Sequence, residues 1–339
     1  MRTALIGYGL GGAAFHAPFI ATTPGLTLSA VVTGNPERRA EVRARYPDTA
    51  LLDAPDDVWR QAADFDLVVV TTPNRYHASH ARSALEHDLD AVVDKPFAGG
   101  VAEAKALATL AETRGRRLVP FHNRRWDGDF RTVRRLLAEG VLGDVHRFES
   151  RFERWRPEVK DSWKESGDPA DLGGIVHDLG THLIDQAVAL FGRPRTVYAE
   201  VRALREHARA HDDAFLALTH DNGVVSHLWM SALAEDQGPR FRVLGNRAAY
   251  VKHGMDPQEE RLKAGVTPGG PSWGIERPDA WGTVSGTPTP TEPGAYQTFY
   301  ATIAAGRTPV TAQDAITGLE VVEAAFASAA TGTTVSLAN

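Results

Sequence analysis

Two patterns of hydrophobic residues alternate along the first 121 residues. Short apolar runs are each followed by polar or turn residues and lie at positions 3–6, 28–32, 67–70, 91–93 and 118–121. Longer stretches with helical spacing separate them, at positions 11–22, 36–46, 75–86 and 101–114. The short runs fit buried strands better than helices. Strands that alternate with helices predict βαβ units and a parallel sheet with right-handed crossovers.

The order of predicted helices and strands changes after residue 126. A helical pattern at 130–139 precedes an alternating run at 144–155, and the stretch from 178 to 191 again has helical spacing. Strand-like runs then follow one another closely, at 196–203, 214–220, 224–231 and 240–244. Because only turns separate these runs, they favour an antiparallel sheet.

The rest of the chain completes the domain prediction. Residues 254–294 are rich in Pro and Gly and lack periodicity, which indicates a functional lid or an interface arm. A helix is expected at 311–330, and it could pack back on the first domain. We predict an α/β protein with a doubly wound domain at 1–122. A second, α+β domain at 123–339 is expected to be built on an open, mainly antiparallel sheet.

Composition and charge exclude several classes of protein. The chain has 339 residues, of which 42% are hydrophobic and 24% are charged. This is the composition of a globular protein, and a chain of this length can bury a large hydrophobic core. The net charge of -6 provides no basic footprint for nucleic acid or an anionic membrane. The absence of cysteine excludes disulfides, thiolate catalysis and cysteine-ligated zinc. The N-terminal apolar run is too short for a signal peptide, so we expect a cytoplasmic protein.

A glycine-rich turn follows the first predicted strand. The sequence "ALIGYGLGGAAF" places G-x-G-x-x-G on Gly7, Gly9 and Gly12. In this strand-to-helix context the first glycine permits a tight turn, the second admits a pyrophosphate, and the third lets helix and strand pack closely. The helix N-terminus adds a positive dipole end for phosphates. This turn predicts a dinucleotide site.

The end of the second predicted strand indicates which dinucleotide. NAD sites tend to have an acidic residue here that binds the ribose hydroxyls, whereas this chain has Thr33, Gly34 and Asn35. Thr33 could donate to a 2′-phosphate, and Arg38 or Arg39 could pair with it. The alternative is that both arginines are solvated on a helix surface. We expect NADP, with NAD as the second possibility.

A lysine follows the fourth predicted strand, in "LDAVVDKPFAGG". Lys95 stands between Asp94 and Pro96, at the sheet edge where doubly wound folds bind ligands. The segment "TTPNRYH" at 71–77 ends the preceding strand and should border the same crevice. His77 is expected to anchor the start of its helix rather than to react.

The stretch "GIVHDLGTHLID" contains two histidines and two aspartates. On a helix, Asp178 and His182 are four residues apart and share a face. A helical two-histidine zinc site would need a histidine four positions after His177, where the chain has Thr181, so no metal is expected. This segment alone leaves two interpretations. Either Asp178 caps the helix and His182 packs in a polar corner, or both residues act in catalysis.

The combination of motifs strongly resembles the Gfo/Idh/MocA oxidoreductases, over essentially the whole chain. In that family a [DE]-K-P motif usually has glutamate where this chain has Asp94. The strings "GYGLGGAAFHAPF", "HNRRWDGDF" and "DLGTHLIDQ" are similar to a subgroup that oxidises scyllo-inositol to an inosose with NADP. The three family motifs fall on Gly7, Gly9 and Gly12; on Asp94, Lys95 and Pro96; and on Gly173, Gly174, Asp178 and His182.

The resemblance implies a Rossmann domain, a polyol or sugar substrate and a catalytic group of Lys95, Asp178 and His182. His182 would accept the alcohol proton, Lys95 would stabilise charge on the oxygen, and Asp178 would orient a neighbouring hydroxyl. The expected cofactor-binding residues are Gly7, Gly9, Leu10, Gly11, Gly12, Thr33, Arg38, Arg39, Thr72, Pro73, Asn74, His77, Asp94 and Lys95. The expected substrate-binding residues are Asn123, Arg124, Trp126, Arg156, Asp178, His182 and Arg240, with Trp163 and Trp273 as weaker candidates.

Two other functions remain open at this stage. A non-catalytic NADP-binding regulator on the same fold would be expected to lack Lys95 or His182, and both are present. An NAD-dependent glycoside hydrolase on the same fold would release a sugar without net reduction of the cofactor. Measuring NADPH absorbance separates these functions from a dehydrogenase.

The second sheet also predicts self-association. The runs "DAFLALTH" and "VVSHLWMSAL" are expected to leave apolar residues on both faces, including Leu216, Leu218, Leu228 and Met230. Helices of that domain can cover only one face, and a large exposed apolar patch is unusual for a monomer. We therefore expect a homodimer or homotetramer that associates through this sheet. No nucleic acid or membrane partner is expected.

Overall fold

The computed structural model describes residues 1–270 and 272–337. The chain forms two compact units, each assembled from separate segments. The first unit contains Met1–Asn123, Gln258–Trp273 and Ala295–Gln313. The second contains Arg124–Pro257, Gly274–Gly294 and the chain from Asp314 onward.

Regular elements are numbered here in chain order. Strands β1 to β15 span Arg2–Ile6, Thr27–Val32, Ala50–Leu52, Leu67–Val70, Asp90–Val93, Leu118–Pro120, Val145–Glu153, Pro194–Arg202, Asp213–His220, Val225–Ser231, Phe241–Gly245, Ala249–Lys252, Gly282–Val284, Thr287–Thr289 and Val335–Ser336. Helices α1 to α10 span Ala17–Thr22, Pro36–Arg45, Pro55–Arg60, His77–Glu86, Val101–Arg114, Gly128–Ala138, Thr181–Phe191, Gln258–Lys263, Gln297–Ala304 and Ala312–Thr331.

The first unit contains the predicted parallel sheet. Its strand order is β3-β2-β1-β4-β5-β6, which is the order of a doubly wound dinucleotide-binding fold. Strand β4 is buried along its whole length, as a sheet covered by helices on both faces requires. This part of the fold prediction is confirmed. The sequence patterns missed β3 and α3, which span Ala50–Leu52 and Pro55–Arg60.

Local sequence signals account for the ends of the crossover helices. Pro36 occupies the first turn of α2, and the Asn35 side chain caps that helix by accepting a hydrogen bond from the Arg38 amide. Helix α5 ends at Arg114 and is followed by Gly115, whose φ of 61° is the left-handed conformation that glycine adopts at helix ends. These signals help to set where the helices leave the sheet edge.

Two late segments of the chain complete the core of the first unit. The Phe299 ring meets the Phe121 ring edge-on with centroids 4.8 Å apart. Similarly, the centroids of the Trp273 and Phe19 rings are 6.0 Å apart. The observed division therefore differs from the single boundary predicted at 122/123, because these aromatic side chains bury their apolar surface in the first unit.

The second unit is built on a sheet of mainly antiparallel strands, as predicted. The order is β14-β13-β12-β11-β7-β10-β9-β8-β15. Strands β7 and β10 pair in parallel, whereas the other neighbours are antiparallel. The helix predicted at 311–330 supplies core residues to this unit from Asp314 onward, including Val321 and Val322.

Four apolar side chains that were expected to be divided between the two faces of this sheet all lie on the face that packs in the core. Leu216, Leu218, Leu228 and Met230 are fully buried in the core of the second unit. The expectation for these four residues is wrong because strict alternation places all of them on one side. The opposite face displays half-buried aromatic side chains, among them Phe215, His227 and Trp229.

The stretch at 254–294 is more regular than its composition indicated. It contains α8, β13 and β14, and the two strands extend the sheet beyond β12. The Lys252 ammonium lies 2.8 Å from a carboxylate oxygen of Glu276, and both side chains are buried. This ion pair links the sheet to the arm. Because α8, β13 and β14 lie within residues 254–294, the stretch has more regular structure than its lack of periodicity indicated, and its role as a lid or interface arm stays a prediction.

Within residues 1–270 and 272–337, no helix has the length and apolar character needed to span a membrane.

Candidate active site

The glycine turn has the shape that a bound phosphate requires. Gly7 has a φ of 100°, and a Cβ placed there would lie 2.8 Å from the Thr71 carbonyl oxygen. A Cβ at Gly12 would collide with the Gly7 carbonyl oxygen. A Cβ at Gly9, by contrast, would meet only the Arg38 guanidinium, at 4.0 Å. The first and third glycines are thus required by packing, while the second leaves open space for a ligand, and the turn fits a dinucleotide.

The helical segment after the turn begins irregularly. Residues Gly11–His16 form a π-helical turn before α1, with Leu10 exposed at its start. The Ala13 amide donates to the Gly9 carbonyl at 2.9 Å. A Cβ at Gly11 would lie 3.1 Å from a carboxylate oxygen of Asp94, so this turn and the end of β5 are close neighbours. Such π-helical turns often occur at functional sites.

The structure distinguishes the two arginines expected near the ribose. One Arg39 nitrogen donates to a carboxylate oxygen of Asp53 at 2.7 Å and to the Thr33 carbonyl at 3.1 Å. Arg39 therefore joins the ends of β2 and β3. Arg38 instead has its guanidinium beside Gly9, over the open part of the glycine turn. Thr33 is buried, and its hydroxyl accepts from the Asn35 amide.

Lys95 is held by contacts to its backbone and to that of Pro96. Its amide donates to a carboxylate oxygen of Asp94 at 2.8 Å. The two ring nitrogens of His77 lie 2.8 Å from the carbonyl oxygens of Pro96 and Thr72. His77 is almost completely buried, and burial lowers its pKa. It connects the loop that carries Lys95 to the end of β4 through these two carbonyl contacts.

Asp94 is ionised in this setting. Burial alone would raise the pKa of its carboxyl group, but the nearby His16, with smaller effects of His77 and Lys95, lowers that pKa to about 2. Pro73 and Asn74, which are also among the expected cofactor-binding residues, follow β4, and Asn74 is buried.

The two glycines of the second motif are explained by what packs against them. A Cβ at Gly173 would lie 2.7 Å from the Ser166 carbonyl oxygen and 3.0 Å from that of Lys164. Gly174 has a φ of 87°, and a Cβ there would collide with the His211 ring. Because the segment around Lys164 and the His211 ring pack so closely against this turn, neither position has room for a larger residue than glycine.

The polar residues of "GIVHDLGTHLID" lie in three different local settings. Asp178 lies in a π-helical turn at Val176–Gly180, and its carboxylate is 2.7 Å from the Lys164 ammonium. His182 is 7% exposed at the start of α7. Asp185 is buried and accepts from Arg125 at 2.7 Å, which makes it a structural ion pair. In the part of the chain that the structure describes, no cluster of three or more His, Asp or Glu side chains could hold a metal.

Three of the predicted residues of the second unit gather around Phe152. The His182 and Phe152 ring centroids are 6.3 Å apart. The guanidinium carbons of Arg124 and Arg240 each lie 4.8 Å from the centroid of the same ring. Sequence analysis missed Phe152, because no local pattern distinguishes an aromatic ring at a site from one in a core.

Arg240 is deeply buried and engaged. It donates to the Ser150 hydroxyl at 2.5 Å and to the Gln186 side chain at 2.8 Å, while Gln186 donates to the Arg124 carbonyl at 2.9 Å. These contacts fix the helix that carries His182, so they favour a supporting role for Arg240. Its expected contact with substrate stays a prediction.

A cavity of about 150 Å³ in the second unit contains Asp178. Lys164, which sequence analysis missed, lines it together with the exposed Arg156 and with Arg154. The only local signal for Lys164 would have been the surrounding "WKES", which is not specific. Trp163 is half-buried, whereas Trp273 packs on Phe19 in the first unit.

The remaining predicted residues, Asn123 and Trp126, lie in the 3₁₀ turn Asn123–Trp126. Asn123 is buried and ends the first segment of the first unit, whereas Trp126 is half-buried in the second unit. Their predicted contact with the substrate remains a prediction.

Comparison with known proteins identifies the family. The Gfo/Idh/MocA model described as "Oxidoreductase family, NAD-binding Rossmann fold" matches residues 1–122. The model described as "Oxidoreductase family, C-terminal alpha/beta domain" matches residues 134–337. The chain belongs to the Gfo/Idh/MocA oxidoreductases. It is thus an NAD(P)-binding oxidoreductase, as its motifs indicated.

Individual relatives of this Gfo/Idh/MocA protein match it over nearly its whole length. The uncharacterized oxidoreductase YdgJ of Escherichia coli K12 is 42% identical, over 100% of this chain and 99% of its own. The scyllo-inositol 2-dehydrogenase (NADP(+)) IolW of Bacillus subtilis is 34% identical, over 99% and 96% of the two chains. A solved structure of the putative oxidoreductase YvaA from Bacillus subtilis has a TM-score of 0.93 at 31% identity, covering 99% and 98%.

Proposed function

We propose that the protein is an NADP-preferring dehydrogenase that oxidises a ring hydroxyl of a cyclic polyol, with scyllo-inositol as the first substrate to test. The full-length similarity to a scyllo-inositol 2-dehydrogenase (NADP(+)) carries this proposal. It is supported by Lys95, Asp178 and His182, which stand at the family motif positions.

The cofactor preference is supported by the residues around the glycine turn. The space over Gly9 fits a pyrophosphate, and the Arg38 guanidinium beside it offers a charged partner for a 2′-phosphate. No acidic residue occupies positions 33–35, so the usual partner of the NAD ribose is missing there. When bound, the nicotinamide accepts the hydride from the alcohol carbon.

The proposed catalytic roles follow from the chemistry of each side chain. His182 accepts the hydroxyl proton, because a neutral imidazole is a suitable base near neutral pH. Lys95 donates a hydrogen bond to the same oxygen and stabilises the negative charge that develops there. Asp178 accepts a hydrogen bond from a neighbouring ring hydroxyl and fixes the orientation of the ring. Lys164, at 2.7 Å, balances the charge of Asp178.

A panel of substrates tests this function. Inositols, inososes and aldoses are each incubated with NADP(H) and with NAD(H), and the absorbance of the reduced cofactor is followed. We expect turnover with scyllo-inositol and NADP. Sugar release from glycosides without net cofactor reduction would instead establish the glycoside hydrolase, and cofactor binding without any turnover would favour the regulator.

The open face of the second sheet supports self-association as a further part of the proposal. The Arg151 guanidinium carbon lies 3.9 Å from the Trp229 ring centroid, and Phe215 is beside it with its centroid 5.1 Å from that of Trp229. Glu149 lies between Arg151 and Arg242, at 3.1 and 2.9 Å. Aromatic rings with charges of both signs can complement the same face of a second copy related by a two-fold axis. We infer that this face joins two copies of the chain.

A further inference from the structure

A chain of polar contacts runs from two buried side chains to the lysine of the first unit. The Tyr300 hydroxyl is 2.5 Å from Nδ1 of His16, and Nε2 of His16 is 3.8 Å from Oδ2 of Asp94. The other oxygen of Asp94, Oδ1, accepts from the Lys95 amide at 2.8 Å. Four residues from three separate parts of the sequence therefore form one line of contacts that ends at the Lys95 backbone.

Aromatic packing fixes the members of this line. The His16 ring centroid is 4.1 Å from that of Phe121, and the Tyr300 ring stacks on Phe19 with centroids 6.5 Å apart. His16 and Tyr300 are completely buried. Burying a ring nitrogen and a hydroxyl among aromatic side chains is costly unless each is compensated by a polar partner, so a merely space-filling role would be served better by apolar residues.

The geometry selects one tautomer of His16. If Nδ1 carried the proton, the lone pair of Nε2 would face the Asp94 carboxylate. With the proton on Nε2, the N–H dipole points at that carboxylate, and Nδ1 accepts from the Tyr300 hydroxyl. Burial, together with the charge of Asp94, raises the pKa of Tyr300 well above its usual value, so its hydroxyl keeps the proton that it donates.

We infer that Tyr300 and His16 are positioning residues, which orient the Asp94 carboxylate and through it the Lys95 backbone. This role rests on the proposed dehydrogenase function, in which Lys95 acts on the reacting oxygen. At 3.8 Å the His16–Asp94 contact is an electrostatic one rather than a direct hydrogen bond. It therefore orients the carboxylate through charge and dipole, while the short contacts on either side define the geometry.

The charged and titratable groups that face Asp94 agree with this role. His16 approaches from the π-helical turn, His77 from the start of α4, Lys95 from the same loop and Tyr300 from α9. Because its lowered pKa keeps Asp94 ionised at neutral pH, Tyr300 and His16 act on the orientation of this carboxylate and not on its charge.

The test combines NMR and kinetics on the full-length protein. Histidine labelled with ¹⁵N reports which His16 nitrogen is protonated, and a His16→Gln variant assigns the signal. The chain has six lysines, so selective ¹⁵N-lysine labelling resolves the Lys95 amide. We expect wild-type His16 to carry its proton on Nε2. Tyr300→Phe should change that ¹⁵N pattern and shift the Lys95 amide, whereas Phe299→Leu, which loosens the same aromatic cluster, should change neither.

The kinetic part asks whether Tyr300 acts through Asp94. Tyr300→Phe should lower kcat about tenfold and leave the affinity for NADPH within about twofold, as expected when positioning but not binding is lost. In an Asp94→Asn background the same substitution should cost less than about twofold, because the residue it acts through is already changed. His16→Gln, which keeps a donor on its side chain, should retain more activity than His16→Phe.

The outcomes separate this inference from the proposed function. A His16 ring protonated on Nδ1, or a Lys95 amide unmoved by Tyr300→Phe, overturns the positioning role whatever the activity. Additive kinetic effects of Tyr300→Phe and Asp94→Asn overturn it as well. If the NMR results are as expected but the wild type does not oxidise any polyol, the dehydrogenase proposal fails and the positioning role in catalysis fails with it, while the orientation of Asp94 stands.

Discussion

Single side chains in this protein divide between those that the motifs predicted and those that only the folded chain brings into place. Lys95 and His182 were predicted because each stands in a motif with fixed neighbours. Lys164 was not, because its contact with Asp178 depends on a segment that folds back onto Gly173. Sequence patterns record spacing along one element, and contacts made through tertiary packing leave no such record.

Replacing either proposed proton-handling group should remove catalysis and spare cofactor binding. Lys95→Ala and His182→Ala are each expected to lower kcat by about a hundredfold or more, because general acid–base and electrostatic groups contribute on that scale. Steady-state kinetics and NADPH fluorescence titration measure the two effects. Matched controls are Lys263→Ala and His207→Ala, whose side chains are 44% and 87% exposed. Turnover close to wild type in either active-site variant would remove that residue from the proposed mechanism.

The two arginines near the ribose should respond differently. Arg38→Ala is expected to lower kcat/KM for NADP by at least about tenfold with little change for NAD, since a charged hydrogen bond to a 2′-phosphate is lost. Arg39→Ala should leave the cofactor ratio nearly unchanged and lower the melting temperature, because Arg39 joins Thr33 and Asp53. Kinetics with both cofactors and thermal unfolding decide the matter. A wild-type preference for NAD would contradict the NADP proposal itself.

The length of each helix or strand decided whether the sequence could predict it. The long helices and buried strands were predicted to within a few residues, because several turns or alternations repeat the same signal. Strand β3 has three residues, and β13 and β14 lie in a Pro- and Gly-rich stretch, so none of them carries a measurable period. The π-helical turns before α1 and α7 have no sequence signature of their own.

The turn before α7 should make the protein sensitive to acid. The His211 ring packs against Gly174, and burial together with the charge of His177 lowers the pKa of His211 to about 4. Between about pH 6.5 and pH 4, the unfolded chain binds a proton at this residue that the folded chain does not bind. The free energy of unfolding should therefore fall as the pH falls through this window, by at most about 3 kcal/mol.

Urea unfolding at several pH values tests this sensitivity. His211→Asn should flatten the dependence of the unfolding midpoint on pH between about pH 6.5 and pH 4. His207→Asn, at a highly exposed histidine, serves as the control and should keep the wild-type slope. If the two variants had equal slopes, the acid sensitivity would have to come from other groups.

At the scale of the whole molecule, we expect the open face of the second sheet to determine the oligomeric state. Trp229→Glu would place a carboxylate among the rings of the open face, so we expect it to dissociate the oligomer. Light scattering coupled to gel filtration should give a multiple of 36.7 kDa for the wild type and a mass near 36.7 kDa for the variant. Val141→Glu, at an exposed apolar residue elsewhere in the second unit, should not change the mass. A monomeric wild type at micromolar concentration would refute the proposal.

The way in which the chain builds its first unit has a consequence for its synthesis. His16, Phe19 and Phe121 are synthesised well before Tyr300 and Phe299, which pack against them. The nascent nucleotide-binding sheet must therefore wait until residues 295–313 have been translated before its core closes. Such sequence-distant contacts slow folding and prolong the exposure of apolar surface. We expect the growing chain to depend on chaperones during this interval, and a fragment that ends at residue 123 to aggregate where the full-length protein folds.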